Sequence, residues 1–249
     1  MLPLPNQVVT EIRIVELMDR GTVARPEGIV YSTDPLASMD EAGNQYIVKG
    51  PDLNIVVSEA IAYILAGELG IMTPGFALGY FADDESALWF ASAKEENVIR
   101  GGDRLLSACP SASTILAMGA LVAFDAWIAN TDRNSGNVLV RGSAKELEIV
   151  AIDFEKAEAL RGPHPLMQST VVDPKKLRPT GDLARAVTQP VQWGGFLQRL
   201  QDLPDDTIKD AVQTVESAVG SSFTWADSTC QALQKRKMKL PQILTEIWS

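Results

Sequence analysis

Between positions 45 and 93 the spacing of hydrophobic residues changes period twice. Gln45-Tyr46-Ile47-Val48-Lys49 reads as a strand, and Gly50-Pro51 punctuates its end. Val57, Ile61, Ile64 and Leu65 then recur at helical spacing, which predicts a helix over 56–69 with Gly70 at its stop. Alternation returns at 76–81 and 87–93, two further predicted strands. Upstream, 8–17 partly alternates and Ile29-Val30-Tyr31-Ser32 is short and apolar, so both read as strands. The first third of the chain is therefore three strands, one helix and two strands.

The rest is mainly helical. Residues 111–130 are nearly uniformly apolar, and a helix apolar on all sides is a buried one. Two short apolar runs, 137–140 and 147–152, flank the polar stretch 141–146 and predict a hairpin. Residues 156–180 are rich in Pro, Lys and Arg and read as loop. Helices are predicted at 182–188, 196–203, 206–219 and 225–247, with a break near Pro241. Ile208, Val212, Val215 and Val219 mark one buried face. The pattern gives an α+β fold with a small β-rich N-terminal part and a mostly helical C-terminal part. No internal repeat or low-complexity tract is evident.

Composition removes several classes of function. The chain has 249 residues and a formal net charge of −10, which argues against broad nucleic-acid or anionic-membrane binding. Two cysteines, Cys109 and Cys230, lack the spacing of a zinc motif or a disulfide framework. The single histidine, His164, lies in a Pro-rich loop sequence and excludes a histidine-rich metal site. The longest apolar stretch ends at Asp125 and is too short to span a bilayer. No signal-peptide pattern opens the chain, so a cytoplasmic setting is expected.

The densest chemistry lies at 130–155. Asp132 and Asn137 share one short polar segment, and the predicted hairpin returns Asp153, in Ile152-Asp153-Phe154-Glu155, beside them. Phosphoryl transfer with Mg²⁺ needs such a set: a carboxylate near the acceptor hydroxyl, a carbonyl-oxygen ligand and a second carboxylate. Asp and Asn also cap turns, so either residue alone would signify little.

Asp132-Arg133-x-x-x-Asn137 followed by Ile152-Asp153-Phe154 resembles the catalytic core of the protein-kinase-like superfamily, and most of all the HipA-like kinases. The phosphatidylinositol 3/4-kinases are more distant relatives. The resemblance implies a two-lobed fold, an N-lobe over 1–93 and a C-lobe over 94–249, with a catalytic loop at 130–140 and a metal loop at 152–155. It implies that Asp132 orients the acceptor hydroxyl and that Asn137 and Asp153 hold Mg²⁺ on ATP. Lys49 would reach the nucleotide phosphates and Glu59 would hold it, since a buried ammonium needs a partner. Phe90, Ala91 and Ser92, leading into a hinge at 91–94, would meet the adenine. The phosphate-covering loop would lie within 21–28, with Ser32 and Thr33 as further candidates.

Two departures stand out. Glu155 replaces the glycine that many kinases carry, which predicts a less switchable metal loop. Asn130-Thr131 replaces the His-Arg pair of regulated protein kinases. Arg133 is expected to brace the loop through bidentate bonds. Asp173-Pro174-Lys175-Lys176-Leu177-Arg178 is a basic cluster, either a solvated loop or an attractor of an acidic or phosphate-bearing substrate. The expected activity is ATP- and Mg²⁺-dependent phosphorylation of a protein Ser or Thr. A small-molecule kinase, a phosphoinositide kinase and a non-catalytic nucleotide-binding interaction module are the alternatives.

Overall fold

The computed structural model describes residues 11–18, 20–23, 35–100, 111–143, 146–162, 173–180, 183, 187 and 193–248. Several expectations lie outside these residues: the strand at 29–32, most of the phosphate-covering loop, Ser32, Thr33, Cys109, His164 and most of the helix at 182–188.

Six strands form one sheet. They are β1 (Ile14–Leu17), β2 (Gly21–Thr22), β3 (Leu36–Met39), β4 (Gln45–Lys49), β5 (Phe76–Phe81) and β6 (Asp84–Ala93), in spatial order β1-β5-β6-β4-β3-β2. Only the β1–β5 pairing is parallel, Ile14 lying opposite Leu78. The central strand β6 is hydrogen-bonded on both sides, to β4 and β5. Strands β2 and β3 are additions to the sequence reading. Gly21–Thr22 falls in the segment expected to hold the phosphate-covering loop, and Leu36-Ala37-Ser38-Met39 lacks the β-branched residues that mark a strand. Pairing with β4 holds β3 in place, and pairing with β3 in turn holds β2.

Helix α1 (Leu53–Glu68) starts earlier than its apolar periodicity suggests. Asp52 caps it by accepting a hydrogen bond from the Asn54 amide at 2.8 Å. Every residue from Val56 to Ala66 is buried, because α1 lies between the sheet and a C-terminal helix, α4. Helix α2 (Ala112–Ile128) runs through the middle of the helical part. Ser111 caps its start, and Ala129 ends it in the left-handed conformation, φ 58°. The chain then turns sharply into Asn130–Asp132.

After a 3-10 turn at Ser135–Asn137, the hairpin β8 (Val138–Ser143) and β9 (Glu146–Ala151) forms as expected, with β7 (Ile99–Arg100) beside β8. Among the described residues, three helices close the fold: α3 (Gly194–Asp202), α4 (Asp205–Val219) and α5 (Ala226–Trp248). The faces of α4 and α5 that carry Ile208, Val212 and Val215, and Leu233, Leu240 and Leu244, join one core with α1 and α2. Burying each such side chain stabilises the fold by roughly 1.5–3 kcal/mol.

The expected break near Pro241 does not occur, and α5 continues through it. Pro241 is exposed, so water can replace the bond its missing N–H forgoes. Leu240, Leu244 and Ile247 hold both halves against the same core. Arg236, buried in α5, donates to the carbonyls of Ala126 and Trp127 at the end of α2, and Trp127 Nε1 returns a bond to the Leu233 carbonyl. The last turn of α2 is thereby fixed just before the polar segment it delivers.

Candidate active site

A cavity of about 260 Å³ opens between the sheet and the β8–β9 hairpin. Lys49, Glu59, Phe90, Ser92, Asp132, Asn137 and Asp153 all border it, so residues scattered over 105 positions of sequence converge on one space. Ile47, Phe90, Val98 and Leu139 give it apolar lining, and Lys49, Glu59, Asp132 and Asp153 give it charged groups.

Ala91 does not reach the cavity. Side chains alternate along β6, so Phe90 and Ser92 face inward while Ala91 packs with Leu17, Val48 and Ala77 on the sheet's opposite side. Phe90 and Ser92 are also paired to strands on both sides. The cavity wall runs on through Ala93, Lys94 and Glu95, so the segment expected as hinge, 91–94, borders the cavity through Ser92, Ala93 and Lys94.

Lys49 ends β4 with its ammonium among three carboxylates. It lies 2.7 Å from Glu59 Oε1, 2.8 Å from Asp153 Oδ1 and 3.9 Å from Glu155 Oε2. Burial opposes the ammonium, but Glu59 and Asp153 outweigh it and hold the Lys49 pKa above its ordinary value. Burial pushes Glu59 upward, Lys49 opposing and Asp153 adding to the rise. Lys156 lies 3.7 Å from Glu155, so two ammoniums face three carboxylates, of which Glu59 and Glu155 are 0% and 1% exposed. Such a cluster carries excess negative charge and suits a cation.

Asp132 stands exposed at the cavity rim. Its backbone carbonyl accepts bonds from Asn137 Nδ2 at 2.8 Å and Asn134 Nδ2 at 3.0 Å. The Asn137 amide nitrogen is thus committed to the loop, which leaves Oδ1 as its acceptor. Burial, and then the charge of Asp153, raise the Asp132 pKa. Asp153 itself adopts φ 66°, a left-handed conformation uncommon outside glycine. Phe154 anchors it, fully buried and packed edge-on against Tyr63 of α1 and Phe124 of α2.

Arg133 braces this assembly, as its position beside Asp132 suggested. It pairs with Asp125 through two bonds of 2.7 and 3.1 Å. Its Nη1 donates to the carbonyls of Asn137 and Ile152, and its guanidinium lies 4.8 Å over the Phe154 ring. One side chain therefore ties α2, the Asp132 loop and the Asp153 strand end. Asp125 was missed as its partner. A lone carboxylate inside an apolar run was the available signal, because a buried charge requires an opposite one.

Glu155, expected to stiffen the loop, is also buried against the Lys49 cluster. Among the described residues of this loop only Asp153 has positive φ, so glycine at 155 would relieve no strain. Glu155→Gly is expected to cost roughly 1 kcal/mol in backbone entropy. That corresponds to a Tm loss of roughly 2–4 °C by thermal unfolding.

Carboxylate and amide oxygens are hard donors of the kind Mg²⁺ takes. Asn137 and Asp153 offer such atoms at the cavity. Glu59, Asp153 and Glu155 form a cluster whose donor atoms lie within 4.8 Å of one another.

Comparison with known proteins places this geometry. The sequence profile described as HipA-like kinase matches residues 30–161. No curated protein matches the sequence. Among solved structures, the proinflammatory kinase CtkA of Helicobacter pylori is similar at TM-score 0.57 and 15% identity, over 86% of this chain and 94% of that one. WaaP in complex with acyl carrier protein is similar at TM-score 0.37 and 14% identity, over 86% and 89%. The likeness to CtkA is one of fold, a mixed sheet above a helical part.

Proposed function

Since this chain belongs to the HipA-like kinase family, we propose that it transfers the γ-phosphoryl group of ATP to a Ser or Thr hydroxyl of a protein, with Mg²⁺. The observation that carries this reading is the meeting of Lys49, Asp132, Asn137 and Asp153 around one cavity that also has apolar lining. The lobes divide at 93/94, where β6 leaves the sheet. A cytoplasmic setting suits a kinase with a free thiol at Cys230. Among the described residues, no helix is long and apolar enough to cross a membrane.

Ile47, Phe90 and Leu139 border the cavity and would take the base of the nucleotide, with Lys49 toward its phosphates. Asn137 and Asp153 would hold Mg²⁺, which when bound neutralises charge on the β- and γ-phosphates. Lys49, held by Glu59, adds a fixed positive charge on the phosphates. Asp132 accepts a hydrogen bond from the acceptor hydroxyl and aims its oxygen at the γ-phosphorus. As the new P–O bond forms, the bond to the β–γ bridging oxygen breaks and ADP leaves. The hydroxyl proton passes to Asp132, whose raised pKa improves it as an acceptor. Most of the rate enhancement is positioning and preorganised charge.

Lys49→Ala is expected to weaken ATP binding by roughly 10–100-fold, the value of losing a hydrogen bond to a charged group. Calorimetric titration with Mg-ATP reads this directly. The proposed activity is tested with γ-labelled ATP and a panel of Ser- and Thr-containing proteins, including the protein itself. Transfer that requires Mg²⁺ and stays on hydroxyl side chains is expected. Label released only as free phosphate, or passed only to small molecules, contradicts the protein-kinase reading.

A further inference from the structure

Resting on the kinase reading above, we infer that the phosphate acceptor is an acidic protein segment, read by a cationic rim on both sides of Asp132. The backbone places this rim. Thr131, just before Asp132, donates its N–H to the Lys156 carbonyl at 3.2 Å. Arg133, just after Asp132, accepts from the Thr180 N–H at 3.1 Å. Two otherwise separate segments thus flank the proposed acceptor residue. The first brings Lys156, and the second carries Lys175, Lys176 and Arg178.

On the second segment, Asp173 caps a 3-10 turn, Pro174–Leu177. Leu177 is buried, and the turn packs against α2 and α5. That anchor leaves Lys175, Lys176 and Arg178 exposed. On the first segment, the Lys156 side chain is 37% exposed and 3.7 Å from Glu155. The chain as a whole carries a net charge of −10, so cations gathered beside the proposed acceptor residue run against its general field.

Scale favours a peptide. Arg178 is two residues from Thr180, and extended chain spans about 3.3–3.6 Å per residue. The Arg178 backbone is therefore within roughly 7 Å of that of Thr180, a separation that a few residues of bound peptide span. The cations sit on an exposed turn, whereas a small molecule needs an enclosing pocket. Nucleic acid needs a broad basic field, which the overall charge denies.

The test measures acceptor binding apart from catalysis. Two short fluorescent peptides, each with one central Ser flanked by Glu or by Lys, are titrated by fluorescence anisotropy. Vesicles rich in phosphatidylserine form a third arm. The proteins are the wild type, Lys175→Ala/Lys176→Ala/Arg178→Ala, and Lys176→Glu alone in case the triple variant folds poorly. The acidic peptide is expected to bind about tenfold tighter than the basic one at low salt, less so at high salt. That preference should vanish in the triple variant and shrink in Lys176→Glu, with the ATP-induced thermal shift unchanged. Equal binding of both peptides, an unaltered preference in the variants, or vesicles outcompeting the acidic peptide would overturn the inference. Failure of the kinase reading would show separately, as a wild type that ATP does not stabilise.

Discussion

Asp132→Ala is expected to slow phosphoryl transfer by about 10²–10⁴-fold, the usual contribution of a positioned general base. ATP binding should remain within a few-fold of wild type. The Asp132 side chain lies exposed at the rim, and it is the backbone carbonyl of this residue that Asn134 and Asn137 hold. Alanine retains that carbonyl, so the loop and the Asn137 amide stay in place. Removing the carboxylate also removes one negative charge near Asp153, so any change in nucleotide affinity should be toward tighter binding. Single-turnover transfer and ATP titration, run on the same preparation, separate the two effects. Equal transfer by the variant and the wild type would show that Asp132 does no chemistry.

Arg133→Ala should be the most destabilising change near the site. It leaves the Asp125 carboxylate, 1% exposed, without its guanidinium. It also removes a donor from the Asn137 and Ile152 carbonyls. Breaking a buried pair by deleting one partner costs about 3–5 kcal/mol. For a chain of this length that lowers Tm by roughly 6–20 °C. The double change Asp125→Leu/Arg133→Met removes both charges and should recover much of the stability. It should not recover transfer, because nothing then ties the Asp132 loop to the strand end at Asp153. Thermal unfolding and activity, measured on both variants, distinguish a brace from a simple fold-stabilising pair.

Much of this site could be read from local pattern. That Lys49 closes a strand and Glu59 lies early in a helix is legible from hydrophobic spacing and punctuation, while their pairing is what the family resemblance implies. The β8–β9 hairpin could be read because two apolar runs flank a polar turn, and it carries Asp153 back to Asp132. What escaped was set by tertiary contact. Strands β2 and β3 gain their structure from pairing, not from propensity. At Ala91 the strand period of two turns the side chain away from the cavity, which leaves its backbone for the adenine contact the resemblance implies. Pro241 was read as a break, but the apolar contacts of Leu240 and Leu244 on either side outweigh one missing bond. The burial of Glu155 against Lys49 has no local signature, since a charge after Ile-Asp-Phe reads equally well as solvated.

The central claim is a metal-dependent nucleotide site built on Asp153. Its most direct test is a thermal-shift titration with ATP, with and without Mg²⁺, on the wild type and on Asp153→Ala. A ligand bound only by the folded state raises its apparent stability, by about 2.7 kcal/mol at a hundredfold excess over Kd. The account predicts a rise in Tm for the wild type that requires both ATP and Mg²⁺ and disappears in Asp153→Ala. An equal rise in the variant, or no rise in the wild type at millimolar ATP, would contradict it.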